Sequence, residues 1–169
     1  MLRIAGGVCL SLLLPLVGCA GQPEFERMPV LPLVMPGQEA PDFKFITLDG
    51  RQVTRSSLNG EPFVLTFLAS WCEYCDKQAP DLEQLYQRCR SEGIPMFLVG
   101  INGYADVLAK RAQTHHLTAP IALSPEMADA YGVVGVPRTF FVNREGDIAW
   151  ISAGAGPNVD LERGLERIL

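Results

Sequence analysis

The sequence predicts an α/β domain: a central mixed β-sheet flanked by helices, with a β-hairpin at its N-terminal side. Two apolar runs carry this expectation. Phe63 to Ala69, broken only by Thr66, and Met96 to Val99 each read as a strand buried on both faces. Between them, Leu82, Leu85, Tyr86 and Cys89 fall at i, i+3, i+4 and i+7, which is one face of a helix. A strand, a helix and a strand in this order predict a right-handed parallel crossover. A third observation adds the antiparallel part: Thr139–Val142 and Ile148–Ile151 flank a polar, glycine-containing loop, the pattern of a hairpin.

Taken from the N-terminus, the chain divides into 1–18, 19–36 and 37–169. Met1-Leu2-Arg3 is a short basic start, and Ile4 to Val17 is almost wholly apolar. That run is too short for a permanent membrane span and has the size of a signal-peptide apolar region. It ends in Leu16-Val17-Gly18-Cys19, which resembles the bacterial lipobox. The resemblance implies cleavage before Cys19 and acylation of Cys19. Several acyl chains on one residue anchor stably where one does not. The expected location is the periplasmic side of a bacterial membrane, inner or outer. Residues 19–36 hold Pro23, Pro29, Pro32 and Pro36, which favour an extended, semi-rigid linker.

The domain is expected to begin near Gly37. Asp49-Gly50 between apolar runs predicts the N-terminal hairpin. The first long helix is expected over Asp76–Arg90, kinked by Pro80 and stopped at Glu92-Gly93. A second is expected over Tyr104–His116, with Val107, Leu108 and Ala112 inward. Ile121–Leu123 reads as a short strand. Ser124-Pro125 starts a short helix, with Ser124 as its cap, and Gly132 stops it. Asn158 caps a last helix running to Leu169.

Composition excludes some functions. The chain has 169 residues, 48% hydrophobic and 20% charged, with a formal charge of −5. Loss of Arg3 with the signal makes the mature chain more acidic still. No basic cluster supports nucleic-acid binding.

The chemistry concentrates in Ala69-Ser70-Trp71-Cys72-Glu73-Tyr74-Cys75-Asp76. Cys72 and Cys75 fall where a buried strand meets a helix. Free backbone N–H groups and the helix dipole favour a thiolate there. The i, i+3 spacing puts both sulfurs on one side, so Cys75 can attack a mixed disulfide formed on Cys72. This assigns Cys72 as the exposed nucleophile and Cys75 as the buried resolving thiol. A structural disulfide across so short a loop would restrict the unfolded chain little. A zinc site needs four ligands; there is no second C-x-x-C, and His115-His116 is one isolated pair, expected to end a helix in solvent. No metal or other cofactor is expected. Cys89, on the apolar helix face, is read as a core residue.

The sequence resembles the TlpA/ResA/CcmG-like exported thiol–disulfide oxidoreductases of the thioredoxin superfamily. The matching pieces are Ala40-Pro41-Asp42-Phe43 with Leu48-Asp49-Gly50, Phe67 to Cys72 with Cys75 and Pro80, and Tyr131-Gly132-Val133 with Gly135, Pro137, Thr139 and Phe140. The resemblance covers roughly 37–169 and implies a thioredoxin-like fold. It implies that Pro137 is cis and faces the cysteines, and that the Val136 backbone pairs with an extended substrate, a short β-augmentation. It implies disulfides of exported proteins as substrates, as in cytochrome c or copper-centre assembly, and a membrane-spanning electron donor. Trp71 is expected to pack beside the site and shield Cys75.

Two departures concern tuning. Gln78 stands where reducing members often carry Glu, and Thr66 where thioredoxin carries Asp; neither side chain shuttles a proton. Glu73 and Tyr74 separate the cysteines. A carboxylate beside Cys72 opposes its thiolate, which tilts the pair toward a reductant. The competing functions are a disulfide oxidase or isomerase and, outside enzymes, a copper or haem-pathway binding module. Such a module needs a further His or Met near the pair. The intact WCxxC arrangement argues against a peroxidase.

Overall fold

A computed structural model describes residues 33–156 and 158–169. The expected signal peptide, Cys19 and most of the linker lie outside the described residues. These form seven strands and four α-helices. A small antiparallel pair, β1 (Lys44–Ile46) and β2 (Gln52–Thr54), precedes the main sheet. The main sheet contains β3 (Phe63–Leu68), β4 (Met96–Gly100), β5 (Ile121–Leu123), β6 (Arg138–Val142) and β7 (Ile148–Ala153), in the order β5-β4-β3-β6-β7. β3, β4 and β5 are mutually parallel; β6 and β7 add antiparallel on the other side. The sheet is therefore mixed, and its N-terminal hairpin is present, as the sequence predicts.

Both faces of β3 are covered, so every one of its side chains is buried. Phe63, Leu65 and Phe67 point into a core with Phe43, Phe45, Tyr131 and Phe140. Val64 and Leu68 point the other way, toward Leu82, Leu85 and Cys89 of α1 (Glu73–Ser91) and Leu161 and Leu165 of α4 (Asn158–Glu166). The hairpin closes the first core, with the Phe45 ring 5.3 Å from that of Phe97. Its turn also pairs with the sheet edge, Leu48 N–H donating to Ile121 O at 2.7 Å. This covers backbone groups that an edge strand leaves open.

Several boundaries differ from expectation. α1 begins at Glu73 and continues through Pro80 to Ser91. α2 (Ala105–Thr114) buries Leu108 and Ala112 but leaves Val107 exposed. Residue 107 lies about 100° around the helix from 108, off the inward stripe. Ser124 precedes α3 (Pro125–Ala130), but its hydroxyl donates to the Glu126 carboxylate and caps no backbone N–H. Asn158 is the first residue of α4, its side chain donating to Gln84 Oε1, and α4 ends at Glu166. Of the linker's last residues, Val34 is buried in the first core while Leu33 and Met35 are exposed.

Gly164 of α4 packs directly on Phe141 of β6; a β-carbon there would overlap the ring. Replacing a helical glycine with alanine ordinarily gains about 1 kcal/mol. Here overpacking outweighs that gain. We predict that Gly164→Ala lowers stability by roughly 1–3 kcal/mol in urea denaturation.

Candidate active site

The carboxyl end of β3 delivers the chain through Ala69-Ser70-Trp71 to the start of α1. Cys72 is the N-cap of that helix, with extended backbone (φ −88°, ψ 101°). Its Sγ accepts the Cys75 backbone N–H at 3.1 Å. The sulfur thus takes the place of the hydroxyl or carboxylate oxygen that usually satisfies a helix's first free donors. Negative charge on that sulfur is favoured by the same N–H and by the helix dipole. Cys72 and Cys75 are joined in a disulfide, their Cα atoms 5.3 Å apart.

Across from the helix end, the loop between α3 and β6 brings Val136 and Pro137, joined by a cis peptide bond. Val136 O lies 3.5 Å from Cys72 Sγ. A disulfide sulfur carries no proton, so in this state the approach is a packing contact; in the dithiol state an S–H can donate there. The disulfide leaves Cys72 3% and Cys75 6% exposed. The expected contrast between an exposed Cys72 and a buried Cys75 is therefore absent in the oxidised pair, because the Val136 backbone covers Cys72. Trp71 is 64% exposed, so most of its surface faces solvent. Tyr74, in the first turn of α1, is exposed as well, with Lys77 Nζ 5.0 Å above its ring.

The tuning positions are spread around this core. Glu73 is exposed in the first turn of α1. Gln78 is buried and spends its amide on Gly154 O at 3.2 Å. Thr66 is buried against Thr139, their hydroxyls 3.0 Å apart. Both Gln78 and Thr66 are thus neutral groups satisfied within the protein, consistent with burial of polar atoms only when paired. Arg138, next to the cis proline, lies 5.7 Å from the Phe140 ring centre, and its buried Nε has no protein partner. Among the described residues no group of three or more His, Cys, Asp or Glu is arranged to hold a metal ion.

One cluster was not legible as part of the site. Asp76 follows Cys75 directly. Arg111 Nε donates to Asp76 Oδ1 at 2.8 Å, and Arg111 also donates to Ser70 O in the loop before Cys72. His115 Nε2 lies 3.1 Å from Asp76 Oδ1. His115-His116 does end α2, with His116 exposed, but His115 is half-buried and turned toward Asp76 of α1. The available signal was the i, i+4 spacing of Arg111 and His115, which puts both on one helix face.

Comparison with known proteins agrees with this geometry. Residues 36–151 match the AhpC/TSA family. The chain is 30% identical over 134 residues to the thiol-disulfide oxidoreductase ResA of Geobacillus kaustophilus, covering 78% of this chain and 77% of that one. Among solved structures it resembles a Chlorobium tepidum protein assigned as thiol:disulfide interchange protein DsbE (26% identity, TM-score 0.71, 79% of this chain and 96% of that one). It also resembles a Bacteroides thetaiotaomicron protein assigned as a protein disulfide isomerase (27% identity, TM-score 0.72, 80% and 91%).

The third cysteine of the described domain, Cys89, is fully buried on α1. Burial pushes its thiol up from 9.0 to about 12, with Arg88 opposing only in part. Between those two values the unfolded chain loses the proton and the folded chain keeps it. Stability is therefore complete below about pH 9 and falls as pH rises toward 12. The slope is at most about 1.4 kcal/mol per pH unit. We predict that Cys89→Val removes this component in alkaline denaturation series of the disulfide form. We also predict that native Cys89 resists alkylation until the protein unfolds.

Proposed function

Since the chain belongs to the AhpC/TSA family and is a thiol–disulfide oxidoreductase of the ResA/DsbE type, we propose that it is a membrane-anchored reductant of disulfides in exported proteins. The observation that carries the reading is the placement of the Cys72–Cys75 pair at the helix N-terminus beside the Val136 backbone. In the dithiol state the Cys72 thiolate attacks a substrate disulfide, forming a mixed disulfide and releasing one substrate thiolate. Cys75, as thiolate, then attacks Cys72 Sγ, closing the protein disulfide and releasing the second. Val136 flanks the attack path, where its backbone can pair with an extended substrate.

One sequence feature supports the reducing direction. Glu73 places a carboxylate next to Cys72, which offsets part of the helix stabilisation of the thiolate. A less stabilised thiolate gives up its electrons more readily. The N-terminal pattern supports acylation of Cys19 and a place on the periplasmic side of a bacterial membrane. A protein held there needs electrons from a donor that spans the bilayer. Assembly of cytochrome c or a copper centre is the substrate class we favour, as the sequence resemblance implies.

The equilibrium potential of the pair against glutathione tests the direction. We expect a value near thioredoxin's, about −270 mV, or lower; one near about −120 mV would instead support a disulfide oxidase. Cys75→Ser should trap a mixed disulfide with the substrate, visible on a non-reducing gel, whereas Cys72→Ser should trap none. Radiolabelled fatty acid should enter the wild-type chain in bacteria and not Cys19→Ala.

A further inference from the structure

The resolving step needs a thiolate on Cys75, and that requires a proton acceptor. Thr66 and Gln78 are neutral, and both are committed to Thr139 and Gly154. Glu73 is exposed to solvent. The other side of Cys75 is different. Cys75, Asp76, Arg111 and His115 share the wall of one small, partly open cavity whose other lining is apolar, Leu68 and Leu108 among it. Its volume of about 20 Å³ is room for a single water.

The polar groups on this wall form an ordered series. Asp76, on α1, accepts from Arg111 on α2, and its Oδ1 lies 3.1 Å from Nε2 of His115, just past the end of α2. A carboxylate 3.1 Å from His115 Nε2 favours the tautomer with its proton on that nitrogen. Nδ1 is then the free acceptor. Arg111 neutralises the Asp76 charge and, through Ser70 O, ties the series to the loop that carries Cys72. The carboxylate of this arrangement, Asp76, follows directly after the thiol that must lose a proton, and all its members line the same cavity as that thiol.

We propose that His115, held by Asp76 and Arg111, accepts the Cys75 thiol proton through a water in this cavity when the mixed disulfide is resolved. The Cys75 S–H proton passes to the water, which gives a proton to His115 Nδ1. The Cys75 electron pair forms the new bond to Cys72 Sγ, and the bond from Cys72 to the substrate sulfur breaks, the pair leaving with the substrate thiolate. The step consumes no other reductant. It rests on the assignment of Cys72 as nucleophile and Cys75 as resolving thiol, so the test must separate the two.

A chromophoric aryl disulfide, DTNB, does so in stopped flow with the reduced full chain. Attack by Cys72 releases a first coloured thiolate, and resolution by Cys75 releases a second. The aryl thiolate leaves without needing a proton, so the second phase reports Cys75 deprotonation. His115→Gln keeps an N–H donor for Asp76 but carries no base. We expect its first phase unchanged and its second slowed roughly 100-fold at pH 7, the low end of the general-base range. The wild-type second phase should carry a pH dependence that the variant lacks. His116→Gln should behave as wild type. Equal second phases in wild type and His115→Gln, or a His115→Ala defect fully rescued by Gln, would overturn the proposal and leave His115 a positioning residue. Cys75→Ser reports on the underlying assignment alone: one released thiolate supports it, and two would refute it whatever His115 does.

Discussion

The two-sided burial of β3 is the constraint on which the rest of the molecule depends. A strand covered on both faces cannot slip by one residue without driving Thr66 and its neighbours into the wrong core. Its carboxyl end is therefore held at one place and one angle. Ala69 is buried there, and its carbonyl accepts the Cys72 N–H at 3.2 Å. The first turn of α1 starts from that point. β6, antiparallel to β3 in the register Thr66↔Thr139, brings Pro137 and Val136 to the same end of the sheet. The redox pair and the backbone opposite it are thus positioned by one shared strand.

The electrostatics of the site follow from where α1 begins. Putting Cys72 at the N-cap gives its sulfur a backbone N–H and the positive end of a 19-residue helix. The adjacent exposed Glu73 works in the opposite sense, screened by solvent. Within the first turn the two cysteines meet different surroundings. Cys72 faces the Val136 carbonyl, and Cys75 faces a small cavity that holds the Asp76–Arg111–His115 series. Buried Tyr131 completes the first core from the loop side, donating to Pro41 O at 3.2 Å and so tying that loop to the N-terminal segment. Sites built on such rigid supports hold their geometry better than sites on free loops.

Much of this is readable in order along the chain, because periodicity and punctuation are local properties. The β3–α1–β4 unit follows from two apolar runs and one helical stripe. The hairpins follow from Asp49-Gly50 and from the loop around Gly146. The cysteine pair and its place at a strand–helix junction need only the spacing and the run before it. Where local reading failed, the surroundings of the side chain in the fold decided. Trp71 has the composition of a packing residue, yet it is largely exposed. Ser124 has the composition of a cap, but a nearer carboxylate takes its hydroxyl. Val107 is as apolar as Leu108 and sits on the wrong side of α2.

The sequence by itself determined the architecture of the domain and the identity of its redox pair, because both rest on short-range pattern: apolar period, turn residues and the i, i+3 spacing of two thiols. Only the tertiary structure decided what surrounds each sulfur. Cys72 is as buried as Cys75 because the Val136 backbone, some sixty residues later, closes over it. His115 lies against Asp76 because α2 packs beside α1, a pairing set by the layers on the sheet. Adjacency along the chain says nothing of which side chains meet when helices from different crossovers are laid on the same face.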